Sequence, residues 1–83
     1  MQQDPTLTAH ITGHSDSSGS ASSNQARSES RAEATKRYLV TRHGIDPSRI
    51  TTVGMGSSQP IADNSTADGR RTNRRADIVL KSP

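Results

Sequence analysis

"LTAHITGHSDSSG", residues 7–19, is the stretch on which the reading of this 83-residue chain turns. Its first half alternates. Leu7, Ala9 and Ile11 point to one face and Thr8, His10 and Thr12 to the other, the period-two pattern of a half-buried strand that ends at Gly13. Its second half is Ser and Gly around a lone carboxylate, Asp16. Such a turn offers backbone N–H groups and small side chains, so one charge there is easily aimed at a ligand. A surface turn without function has the same composition, and the rest of the chain must separate the two.

Outward from this stretch, "HSDSSGSASS" continues as a low-complexity loop. "NQARSESRAEATKRYLVTRH" then runs to Gly44 without Gly or Pro and predicts a helix, capped near Ser23 or Asn24 and closed by Gly44 at C′. Glu33 and Arg37 stand in the favourable i,i+4 order. The apolar stripe is poor: among positions 27, 28, 31, 32, 35, 38 and 39 only Ala32, Tyr38 and Leu39 are apolar. Asp46-Pro47 starts a turn, and "RITTVGMG" predicts a second strand centred on Ile50 to Val53. "SSQPIADNSTADGRRTN" is read as one long loop. "RRADIVLK" closes the chain as a third strand, with Ala76, Ile78 and Leu80 alternating with Asp77, Val79 and Lys81. The fold class is α/β: a small mixed sheet packed against one main helix, in a single domain over 1–83.

Composition makes the core thin. A domain of this size buries only about 60% of the surface its unfolded chain exposes. Leu, Ile, Val and Phe number 11 of 83 residues, and Tyr38 is the one aromatic side chain. There is no cysteine, so disulfides and thiolate metal sites are excluded as staples. No apolar run reaches the length of a membrane span, and no basic, apolar leader opens the chain. The basic balance comes from nine Arg against two Lys, and arginine is the better fork for carboxylate or phosphate.

Asp16 and Arg31 form the first constellation. Arg31 lies two helical turns after Asn24, hence on nearly the same face, above the loop that carries Asp16. An acid beside a base suits a zwitterion, but on spacing alone the simpler reading is that the two side chains pair and fix loop to helix. Arg70, Arg71, Arg74 and Arg75 of "GRRTNRR" form the second. A polyanion surface would interleave such charge with stacking aromatics, which are missing, so a solvated rim or a rim serving an acidic ligand ranks above nucleic acid. His10 and His14 would stand about 13 Å apart along a strand, with no suitably spaced acid or thiol, which argues against a metal. No Ser lies in a nucleophile setting, so an enzyme is not expected, nor is a cofactor. "NST" at 64–66 matches a glycosylation acceptor, a pattern of low specificity.

Taken together, "ITGHSDSSG", "NQARSESRA", "HGIDPSRI", "VGMGSSQPIADNST" and "GRRTNRRADI" resemble the OmpA-like C-terminal domain in order and spacing over about residues 9–81. The resemblance implies a periplasmic module of the cell envelope, without direct membrane insertion, that binds peptidoglycan non-covalently through the diaminopimelate of the stem peptide. Carried over, Asp16 matches the aspartate after "GH[ST]" and Arg31 the arginine of "LS..RA". Asn24 matches an asparagine lining the site, and Arg74 the first arginine of "NRR" at its edge. The chain starts just after the family's usual first strand and first helix. Arg27 stands where the family has Leu, Thr35 where it has Val and Ala76 where it usually has Val. The expectation is therefore a trimmed or redesigned fragment beginning at an added Met1. The alternative keeps these residues as natural drift and satisfies the open sheet edge by homodimerisation.

Overall fold

The computed structural model describes residues 6–82; Met1, expected above to be an added residue, lies outside them. Three strands, β1 (Thr8–Gly13), β2 (Ile50–Gly54) and β3 (Ala76–Lys81), form one sheet in the order β2-β1-β3. β1 pairs parallel with β2 and antiparallel with β3, giving the expected mixed sheet. The long helix α1 (Ala21–His43) makes the crossover between the parallel strands and covers one face of the sheet. A 3-10 turn at Pro47–Arg49, capped by Asp46, leads into β2.

The helix begins three residues earlier than expected. Ser20 is its N-cap, with its hydroxyl accepting the Ser23 N–H, so the first turn lies inside the serine-rich run. Several serines there can cap, and Asn24 is needed elsewhere: it is inside the helix and buried. Gly44 closes α1 in the left-handed conformation, φ 66°, as expected. Glu33 accepts from the Thr52 hydroxyl of β2.

The second departure is a short helix, α2 (Ala67–Asn73), within the stretch read as loop. Its content of Gly, Thr, Asp and Asn disguises it. Thr66 caps it by accepting the Gly69 N–H. Asn73, fully buried, holds its far end: its Oδ1 accepts from the N–H groups of Ile61 and Ala62, and its amide donates to Ala62 O and Asn64 Oδ1. One side chain thereby folds the 61–64 segment onto α2.

The buried line of α1 is also rotated from the expected stripe. Asn24, Ser28 and Ala32 face the sheet, whereas Arg27 is exposed and Tyr38 is 53% exposed, edge-on to His43. The sheet explains the choice. A Cβ on Gly13 would lie 1.9 Å from the Ser28 carbonyl oxygen, and one on Gly54 would lie 2.6 Å from the Glu29 nitrogen. Two glycines at the ends of adjacent strands let small helix residues approach backbone to backbone, and large side chains would hold the layers apart. Below this contact the core is Ala9, Ile11, Ala32, Ile45 and Ile50, with Leu39, Val40 and Ala76 packed against it.

Candidate ligand-binding site

The candidate site forms where β1 ends. Three backbone hydrogen bonds fix the chain as it leaves the strand: Met55 N–H to Gly13 O (3.1 Å), His14 N–H to Arg75 O (2.7 Å) and Ser15 N–H to Gly56 O (2.9 Å). They continue the ladder past the strand ends on both sides. Gly56 is in turn tied to α1, its N–H donating to the buried Ser28 hydroxyl at 2.8 Å. The loop bearing Asp16 is thus launched from a rigid platform.

Asp16 is 6% exposed. Its Oδ1 accepts the Ser18 N–H at 2.8 Å and its Oδ2 accepts Arg74 Nη1 at 2.6 Å. The Ser18 N–H first, and the Arg74 guanidinium second, hold its carboxyl below the usual carboxylate value. The group is an anion at neutral pH with its charge fixed in direction.

Arg31 reaches the same loop from α1, but its Nη1 donates to the His14 carbonyl. The pairing of Asp16 with Arg31 that spacing suggested is replaced by two separate contacts, because Arg74 reaches the carboxylate from the other side. Loop and helix are still fixed to each other, through the carbonyl. Asn24, one turn inside α1, is buried with its Oδ1 3.4 Å from Arg27 Nη1, which also lies 3.4 Å from Ser18 O. The four candidates therefore come from three places: the β1–α1 loop, the inner face of α1 and the end of α2. Arg74, whose side chain is 42% exposed, supplies the wet edge.

The remaining arginines of "GRRTNRR" are engaged by their own chain. Arg70 donates to Asn64 O, Arg71 stands 3.6 Å from Asp68, and Arg75 reaches Asp77 and Gln59 O. These contacts occupy part of the cluster within its own chain, while the Arg71–Asp68 pair remains exposed to solvent.

His14 is the residue that sequence reasoning undervalued. Its ring is buried, with Nε2 3.2 Å from Asp77 Oδ2. Burial, then the Arg75 charge, pushes its pKa down, against the opposing pull of Asp77. Its ring contacts β3 while its carbonyl receives Arg31. His10 faces the open side of the sheet and bonds Thr51. A separate concavity of about 360 Å³ between α1 and β2 is lined by Gln25, Glu29, Glu33 and Thr52 among others. It holds carboxylates and no guanidinium, so it lacks half of what a zwitterion needs.

A match to the OmpA family spans residues 1–74. The chain belongs to the OmpA family. This OmpA-family chain is 44% identical over 82 residues to outer membrane porin F of Pseudomonas aeruginosa, covering 99% of the chain and 23% of the porin. It is 43% identical over 76 residues to the peptidoglycan-binding protein ArfA of Mycobacterium bovis, covering 92% of the chain and 23% of that protein. Its fold superimposes on the peptidoglycan-associated lipoprotein of Burkholderia pseudomallei with a TM-score of 0.89 at 30% identity, covering 96% of this chain and 67% of that one. The chain thus spans about a quarter of these two curated relatives. Among the described residues, no helix is long and apolar enough to cross a membrane.

Proposed function

We propose that this chain is a periplasmic, non-catalytic module that binds peptidoglycan by receiving the diaminopimelate of the stem peptide at Asp16 and Arg31. The observation that carries the reading is a buried, fixed carboxylate with one guanidinium on it and a second on the carbonyl two residues earlier. A zwitterionic end group places its ammonium on Asp16, which has lone pairs beyond those used by Ser18 and Arg74, and its carboxylate on the Arg31 fork. Asn24 lines the pocket and Arg74 bounds it, turning its free N–H groups to the ligand while it holds Asp16. Recognition is by complementary charge alone; no bond is made or broken. The names of ArfA and the peptidoglycan-associated lipoprotein support the ligand class.

A second reading has a specific observation behind it. Asp16 and Arg31 both have partners within the chain, so the constellation could be a loop clamp in a fragment that folds without retaining a ligand. An amide NMR titration with meso-diaminopimelate separates the two. Saturable shifts at Asp16, Asn24 and Arg31 that vanish in Arg31→Ala are the expected result. Dispersed resonances that never move would refute ligand binding and leave the clamp.

A further inference from the structure

The peptide unit that joins His14 to Ser15 is held at both ends by one turn of α1. At one end its carbonyl, that of His14, accepts from the Arg31 guanidinium. At the other its N–H, that of Ser15, donates to Gly56 O at 2.9 Å, and the Gly56 N–H donates in turn to the Ser28 hydroxyl at 2.8 Å. Ser28 and Arg31 are three residues apart and so share a face of the helix. The Ser28 proton is committed to Gln25 O at 2.8 Å, which leaves the oxygen to act as the acceptor. Gly56, in the left-handed region at φ 57°, passes the contact on: its N–H goes to the helix and its carbonyl to the loop. Ser28 is fully buried and Gly56 is buried with it, so water does not substitute for the lost acceptor if the hydroxyl is removed.

The two arms of this grip differ in what else they must do. Arg31 is also the group offered to the ligand, and a carboxylate entering its fork competes with the His14 carbonyl for the same N–H groups. Ser28 is spent entirely inside the protein. We infer that Ser28 is a positioning residue of the receptor: acting through Gly56, it holds the peptide that aims Asp16 while Arg31 turns to the ligand. The inference rests on the reading of Asp16 and Arg31 as the ligand-binding pair. Asp16 is bonded directly to Ser15, so a rotation of the held peptide swings its carboxylate away from Arg74 and from an incoming ammonium.

Amide exchange at Ser15 and titration with meso-diaminopimelate, both followed by NMR, test this on Ser28→Ala, Ser28→Cys and Gly44→Ala. In Ser28→Ala the Ser15 amide should exchange about tenfold faster relative to the amides of β1, and binding should weaken about tenfold, the scale of one buried hydrogen bond. Ser28→Cys keeps the volume and a weak acceptor, and should fall between Ser28→Ala and wild type in both readouts. Gly44→Ala weakens the far end of α1 without touching the relay, and should change neither. Ser15 exchange that rises only in step with β1, or binding by Ser28→Ala as tight as that of wild type, overturns the inference. Should Ser28→Ala fail to fold by circular dichroism, Ser28→Cys decides by the same two readouts. If the wild-type chain itself shows no shifts with diaminopimelate, the proposed function falls, and the titration of the Asp16 carboxyl followed by carbon NMR decides the positioning role alone. A midpoint that rises toward 3.8 in the Ser28 variants supports that role, and an unmoved midpoint overturns it.

Discussion

Replacing Gly13 by Ala attacks the contact on which this thin fold depends. The new methyl group would sit 1.9 Å from the Ser28 carbonyl oxygen and 2.9 Å from the Ala32 nitrogen. Both are backbone atoms of α1, so no side chain can turn away to make room. The helix must retreat by more than an ångström, and a gap of that size forfeits about half of the dispersion attraction across the interface. Overpacking of this kind typically costs about 1–3 kcal/mol, and the rigid backbone on both sides places Gly13→Ala at about 3 kcal/mol. That is more than half of the roughly 5 kcal/mol expected for a domain at the low end of stability. Urea unfolding followed by circular dichroism should show the midpoint fall in proportion, and the thermal midpoint should drop by about 15 °C. Gly44→Ala is the control. Gly44 has nothing within 4 Å of its would-be Cβ but a φ of 66°, so it should lose only the left-handed penalty of about 1 kcal/mol. If Gly13→Ala stays within about 0.5 kcal/mol of wild type, the close approach of α1 to the sheet is wrong.

Asn73→Ala should strand the N–H groups of Ile61 and Ala62 and the Ala62 carbonyl, costing about 2 kcal/mol, with hydrogen exchange accelerated first at Ile61 and Ala62. Stability should also fall on acidification in two windows. His14, held below its ordinary value of 6.5, binds a proton more readily unfolded than folded, so its contribution is complete above pH 6.5 and is lost as pH falls through its folded value. Asp16, held below 3.8, contributes fully above that pH and loses its contribution as pH falls further. Urea midpoints measured against pH should therefore decline first below 6.5, and His14→Gln should flatten that upper window while leaving the lower one; an unchanged profile would refute the buried-histidine account.

The strands were legible because their information is local. Alternation at 7–13 marks β1 to within a residue, and the same holds for β2 and β3. The end of α1 at Gly44 was equally plain, while its start was blurred by a run of equivalent serines. α2 escaped because a seven-residue stretch whose one apolar side chain is Ala67, with a glycine at its third position, carries no apolar periodicity. What makes it a helix is the Thr66 cap and the grip of Asn73 on the 61–64 segment. The rotation of α1 was hidden for a related reason: its inner face is chosen by small residues meeting glycine rather than by an apolar stripe.

The sequence by itself determined the mixed α/β class, the positions of the strands and main helix, the family and the candidate residues Asp16, Asn24, Arg31 and Arg74. The class and the element positions follow from near-neighbour periodicity and turn chemistry; the family and the four residues follow from the resemblance of the chain's motifs to that family. Only the tertiary structure decided that Asp16 takes Arg74, 58 residues away, and that Arg31 takes the His14 carbonyl. Nine chemically equivalent guanidinium groups compete along this chain, and spacing cannot rank them. Sheet order and register do, because they bring the end of α2 beside the end of β1.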